Sequence, residues 1–287
     1  METFTKQLGD WELVAVPGRG GALAACRHKR SPILREAMDI AEGDGSVINA
    51  AAYPMVPFCG RILDARLVFE GAEYLLDRNF PPESHAIHGT GWQSHWSIDI
   101  AENRLSMALM DDSLRWPWAF MAEQSFSLAG EALQLQMKLI NIGERRMPAG
   151  LGWHPFFSGD VEHIQADLED APAGPDVSDA GQYWASDYAC AELGKGVFTD
   201  RLRVDSAFFW PGRSAEMLFR NSRMVKLSGG ETAHALTVYR PPNANFVAVE
   251  PQTHVPGAHS HPYPETLGLR TLAPGETLHL SATLSVS

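Results

Sequence analysis

Apolar and polar residues alternate along much of this chain with a period of two. In EALQLQMKLINIG, residues 131–143, Leu133, Leu135, Met137 and Leu139 fall on one side, and Gln134, Gln136 and Lys138 on the other. Successive side chains of a β-strand point to opposite faces, so this pattern predicts a half-buried strand. The segment before it, EQSFSLAGE, alternates through Phe126 and Leu128 and ends at Ala129-Gly130, which predicts a hairpin. AEMLFRNSRMVKLSGG predicts a second hairpin that turns at Asn221-Ser222. Near the C-terminus, Pro274-Gly275 marks a turn, after which Leu278, Leu280, Ala282, Leu284 and Val286 alternate with polar partners.

Helical stripes with caps are absent by comparison; SPILREAMDIAEG, residues 31–43, is the best helical candidate and a weak one. PGRGGAL, residues 17–23, lacks the Lys-Ser/Thr of a phosphate-binding loop and reads as a glycine turn between early strands. No segment of 20 to 50 residues recurs, which argues against a propeller or solenoid. Residues 159–200 are acidic and include APAGPDVSDAG; they read as a long irregular excursion over the rim of one domain. The pattern as a whole predicts an all-β chain, a large antiparallel sandwich or barrel, with residues 1–287 in a single domain.

Composition narrows the function. The 287 residues are 45% hydrophobic and carry a formal net charge of −12, which disfavours nucleic acid and anionic membrane surfaces as partners. Cys26, Cys59 and Cys190 are odd in number and widely spaced, as free thiols in a reducing, cytoplasmic setting would be. The N-terminal residues show no signal-peptide pattern, and no window has the length of a transmembrane helix. Seven tryptophans, Trp92, Trp96, Trp116, Trp118, Trp153, Trp184 and Trp210, fall between positions 92 and 210. They could be core, or they could offer aromatic faces to a sugar ring.

Three short stretches carry candidate chemistry. GLGWHPFF, residues 150–157, sets His154 between Trp153 and Pro155. VAVEPQT, residues 247–253, places Glu250 at the end of an apolar run, just before Pro251. Proline removes a ladder donor, so both residues are expected where a strand leaves its sheet. AIHGTGW, residues 86–92, gives a third such exit at His88. For His154 the ordinary reading is a packed, hydrogen-bonded core histidine, and for Glu250 a structural carboxylate bonded to backbone amides. The other reading is a pair of proton-transfer groups. The spacing of His85 and His88 could offer two metal ligands on a helix, but their neighbours do not support a helix. No GxSxG elbow is present.

The ordered set of motifs resembles the galactose mutarotase-like proteins, the aldose 1-epimerases. The match runs through YPMVPFCGRILDARLVFEGAEYLLDRN, AIHGTGW, GLGWHPFF, LRVDSAFFWPG, VAVEPQT and LGLRTLAPGETL, and so spans most of the chain in order. The resemblance implies the family's supersandwich, a large antiparallel β-sandwich, and interconversion of the α and β anomers of a free aldose without metal or organic cofactor. It implies Glu250 as the base that takes the C1 hydroxyl proton and His154 as the acid that protonates the ring oxygen. It also implies that Arg61, His88 and Asp205 bind the sugar.

Three departures from the family pattern bear on the sugar preference. Gly60 stands where the family often has Asn, Phe156 where Tyr is common, and Gly257-Ala258 where an Asp-Ala pair is frequent. Two alternatives follow. One is a sugar-binding protein without catalysis on the same scaffold, which would have no need of both Glu250 and His154. The other is an epimerase of a phosphorylated hexose, which would need arginines such as Arg19, Arg61 and Arg115 to converge.

Overall fold

The alternating segments pair as their period demands. Phe120–Ala129 and Ala132–Asn141 form one antiparallel hairpin, and Ser214–Phe219 with Met224–Gly229 forms another, turning at Ser222 with φ of 63°. Gly275, with φ of 81°, turns the chain into Thr277–Val286, which joins both hairpins into one sheet. The computed structural model describes residues 1–42, 45–171 and 183–287.

Among the described residues two large antiparallel sheets dominate the fold, with three two-stranded sheets beside them. Among the described residues one sheet has ten strands, of which five position the candidate site: β1 (Ala52–Met55), β2 (Gly152–Ser158), β3 (Val204–Phe209), β4 (Ala235–Arg240) and β5 (Phe246–Gln252). Their order is β1, β2, β5, β4, β3, flanked beyond β1 by Ala22–His28, Trp11–Val16 and Phe4–Leu8. The second sheet has nine strands, running from Ser97–Ala101 through the long hairpin and Thr277–Val286 to Val197–Phe198. One apolar cluster lies between them. Trp153, Phe157, Val247 and Val249 come from the first sheet, and Leu135, Met137, Met217, Leu280 and Leu284 from the second. Each such side chain contributes about 1.5–3 kcal/mol on burial.

The sandwich therefore uses one face of each site strand as core. Alternation turns His154 and Phe156 of β2, Glu250 and Gln252 of β5, Tyr53 of β1 and Asp205 of β3 to the other, outward face. Long connections fold over that face. The segment between β1 and Ser97 carries Arg61, Glu83 and His88, and the segment before β1 carries Arg35.

The structure corrects three expectations. The described residues of SPILREAMDIAEG hold only a short strand, Ser31–Pro32, and a single 3-10 turn, Met38–Ala41; Arg35 is tied to the carbonyls of Ala50 and Ile48, which fixes it as a cross-link and not as part of a helical face. Residues 159–200 are not a purely irregular excursion. Val161–Ala166 is a strand of the nine-stranded sheet that buries Val161, Ile164 and Ala166, and Ser186–Lys195 is an α-helix that buries Ala189 and Leu193 one turn apart. The acidic residues occupy the solvent-facing positions and so hide the apolar ones in composition. Of APAGPDVSDAG, all but Ala171 lies outside the described residues. Third, His154 and Glu250 do not stand at strand exits. Pro155 and Pro251 lie inside β2 and β5.

Pro17–Gly21 forms the predicted turn between Trp11–Val16 and Ala22–His28. Gly20 there has φ of 66°, and an added Cβ would lie 1.7 Å from the Trp92 carbonyl oxygen, so only glycine fits. Cys26, Cys59 and Cys190 are free thiols. No helix among the described residues is long and apolar enough to cross a membrane.

Candidate active site

The two prolines explain the local geometry. β2 and β5 pair at Gly152↔Gln252 and again at Phe156↔Ala248, Phe157↔Val247 and Ser158↔Phe246, with no paired residues between. Counting inward from either end sets residue 154 opposite residue 250. Pro155 and Pro251 lie within the gap and can donate no ladder hydrogen bond, so the pairing lapses there. Both strands stay in place because their outer neighbours hold them: β1 pairs residues 152–155, and β4 pairs residues 248–252.

In that gap His154 Nε2 lies 3.2 Å from Glu250 Oε1. His154 is 6% exposed and Glu250 2%. Burial pushes the Glu250 carboxyl pKa well above its ordinary range, and the Asp205 charge adds to that push; the Gln252 amide and the Arg61 charge pull the other way. Burial also pushes the His154 imidazole well down, assisted by His88 and Arg35. The cause is common to both: an ion loses its hydration in the interior. The two groups lie at hydrogen-bond distance, so the titration of each depends on the other. Burial tilts the pair toward neutral acid and neutral imidazole.

Neighbouring groups fix both side chains. Gln252 Nε2 donates to Glu250 Oε2 at 3.1 Å and to Thr237 Oγ1 at 3.0 Å. The His154 ring packs against Tyr53, at a centroid distance of 4.6 Å, and Phe156, at 4.4 Å, and these two rings also meet each other at 6.0 Å. The Arg35 guanidinium sits 3.6 Å from the Phe156 ring centroid. His88 approaches edge-on at 5.4 Å. Its Nδ1 accepts from the Gly60 N–H at 3.2 Å, which leaves Nε2 to carry the proton of the neutral ring and act as a donor. Burial, then Arg61, lowers the His88 pKa to about 3, so this tautomer persists at neutral pH.

Asp205 and Arg61 complete the ring of sequence-predicted residues. Asp205 of β3 is half-buried opposite Tyr239 of β4, and its charge reaches both Glu250 and Arg61. Arg61 follows Gly60, whose φ of 69° and contact with Pro256 would reject a Cβ. The Arg61 guanidinium is held by Glu83, with Nη2–Oε1 at 3.0 Å and Nε–Oε2 at 3.4 Å. All five candidate residues thus gather on one outward face. Arg19 and Arg115 bond elsewhere, Arg19 to the Ile40 carbonyl and Arg115 to Ser94 Oγ.

Sequence reasoning missed Tyr53, Gln252, Glu83 and Arg35. Gln252 and Tyr53 lie inside quoted motifs, at even spacing from Glu250 and Met55, and the period of two could have placed them on the site face. Glu83 and Arg35 sit in connections with no periodic signal. Among the described residues no group of three or more His, Cys, Asp or Glu side chains is placed to hold a metal ion. His85 and His88 are separated by the short strand Ala86–Ile87, which sends them to different partners, His85 to the Asp64 N–H and His88 to that of Gly60.

Comparison with known proteins agrees with this architecture. A candidate aldose 1-epimerase from Escherichia coli K12 superposes with a TM-score of 0.82 at 22% identity, covering 100% of this chain and 99% of that one. A galactose mutarotase-like protein from Clostridium acetobutylicum superposes with a TM-score of 0.80 at 15% identity, covering 99% and 94%. The uncharacterized protein YphB of Escherichia coli K12 is 24% identical over 312 aligned positions, spanning 100% of this chain and 99% of its own length. The family model described as aldose 1-epimerase matches residues 7–285. The chain, with its two packed antiparallel sheets and its outward-facing cluster of polar residues, therefore belongs to the aldose 1-epimerase family.

Proposed function

We propose that the protein is an aldose 1-epimerase that opens and recloses the ring of a free aldose. The observation that supports this most is the 3.2 Å contact between His154 Nε2 and Glu250 Oε1 on a sheet face ringed by Arg61, His88 and Asp205. Glu250, as carboxylate, takes the proton from the C1 hydroxyl. His154, as imidazolium, delivers a proton to the ring oxygen as the C1–O bond breaks. The products are the open-chain aldehyde, a protonated Glu250 and a neutral His154. Rotation about C1–C2 exposes the other carbonyl face. Reclosure returns one proton from Glu250 to the C1 oxygen and one from the new ring hydroxyl to His154.

The shifted groups suit these roles. A carboxylate whose pKa is raised is a stronger base, and an imidazolium whose pKa is lowered is a stronger acid. The neutral pair and the ion pair contain the same number of protons. Sugar hydroxyls that donate to Glu250, together with the Arg61 charge, favour the ion pair from which reaction starts. His88 Nε2–H is a donor for the ring oxygen region, and Asp205 an acceptor for sugar hydroxyls.

Saturation-exchange NMR over a panel of aldoses tests the proposal. The wild-type protein is expected to speed anomer exchange of at least one sugar, and Glu250→Gln to slow it by about 10²–10⁴-fold, the usual worth of one positioned acid or base. Binding of a sugar without any exchange by the wild type would instead identify a carbohydrate-binding protein. Equal exchange by wild type and Glu250→Gln would remove Glu250 as the base.

A further inference from the structure

We propose that Glu83 is a specificity-determining residue: by occupying the Arg61 guanidinium it tunes the site to uncharged sugars and keeps it closed to anionic ones. This rests on the reading of the same face as an aldose site. A free arginine fork is a ready receptor for phosphate or carboxylate, because its N–H groups bind two oxygens at once. Here Glu83 holds two of the three guanidinium nitrogens. Both side chains are about three-quarters covered, at 28% and 24% exposed, so water screens the pair only in part.

The surrounding charges point the same way. Asp205 and Glu83 both act on Arg61, and Asp205 also acts on Glu250, so two carboxylates act on the Arg61 guanidinium. The other nearby arginine, Arg35, gives Nε and Nη2 to the carbonyls of Ala50 and Ile48 and packs against Phe156 and Phe246. It raises the local potential but is committed to backbone and rings. An anionic sugar reaching Arg61 would meet a guanidinium whose Nε and Nη2 already hold Glu83, and would lie against the charges of Glu83 and Asp205. A neutral sugar meets no such repulsion. Its hydroxyls donate to the carboxylates and accept from the guanidinium, and the charge balance stays as it is.

Glu83→Gln removes the negative charge while preserving size and one acceptor. Two readouts are compared for wild type and variant: NMR titration affinity, and anomer exchange, each for glucose, galactose, glucose 6-phosphate and glucuronate. The variant is expected to shift the anionic-to-neutral preference by about tenfold or more, the worth of one charge-assisted hydrogen bond, and added salt should shrink the gain. An unchanged preference, within twofold, overturns the proposal. Arg61→Gln provides a second arm should Glu83→Gln fold poorly. It leaves Glu83 uncompensated, so the preference must move further toward neutral sugars; no movement again overturns the proposal. If the wild type binds sugars but speeds no exchange, the epimerase reading fails while the affinity ratios still decide the role of Glu83.

Discussion

His154 and Glu250 meet at 3.2 Å across adjacent strands in the one stretch where those strands lack paired residues, and a proline follows each of them. A central strand ordinarily excludes proline, because the missing N–H costs a ladder bond. Here the pairing lapses, and on the outward face of that stretch a carboxylate and an imidazole oppose each other. Local rules are broken most often where a protein performs its function.

His154→Asn should therefore keep the sheet and lose the reaction. An amide of similar reach can stay beside Glu250 but cannot deliver a proton. The expected loss in kcat is about 10²–10⁴-fold with little change in KM, read by polarimetry of freshly dissolved α-glucose or α-galactose. Equal mutarotation by variant and wild type would refute the acid role of His154.

Gln252 sets how readily Glu250 ionises. Its amide donates to Glu250 Oε2 at 3.1 Å and lowers the carboxyl pKa. Gln252→Met deletes a bond to the charged form, so the Glu250 pKa must rise further. The acidic limb of the profile of kcat/KM against pH is expected to move to higher pH. A limb that stays in place, or moves down, would show that another group controls it.

Buried histidines should make the fold acid-sensitive. His254 Nε2 accepts from the Cys59 N–H at 3.1 Å, its Nδ1 lies 2.9 Å from the Val255 carbonyl oxygen, and burial lowers its pKa to about 4. A histidine depressed in the folded state stays neutral there while its unfolded counterpart binds a proton below pH 6.5. Stability from this group is thus complete above pH 6.5 and declines as pH falls from 6.5 toward 4, by about 1.4 kcal/mol per pH unit. His88, lowered to about 3, adds a slope of the same sign that continues below pH 4. Chemical denaturation at several pH values should show stability falling with acidity over this window, and less steeply in His254→Gln. A wild-type stability independent of pH between 6.5 and 4 would contradict the assignment.

Gly150 is fixed by the same histidine. A Cβ there would stand 2.2 Å from His254 Cδ2 and Nε2, and the ring is tethered at both nitrogens. Gly150→Ala is expected to cost about 1–3 kcal/mol of stability, the usual penalty of overpacking, as a lower denaturation midpoint at unchanged slope. A midpoint equal to the wild type would mean that the ring moves freely.

Much of this protein was legible in its sequence because strand alternation is a local signal. Leu133 to Leu139, Phe126, and Leu278 to Leu284 announce their faces within a few residues, and turn residues such as Gly275 and Ser222 mark where strands reverse. The ordered motifs likewise named His88, His154, Asp205 and Glu250. Tertiary structure alone decided their distances, because residues 88, 154, 205 and 250 meet only when strands far apart in the chain lie side by side. It also decided that Pro155 and Pro251 open a ladder instead of ending a strand, since β1 and β4 supply the bonds that hold each strand from outside. Glu83 and Arg35 had no periodicity to betray them; their parts follow from charge and ring contacts that exist only once the connections have folded over the sheet.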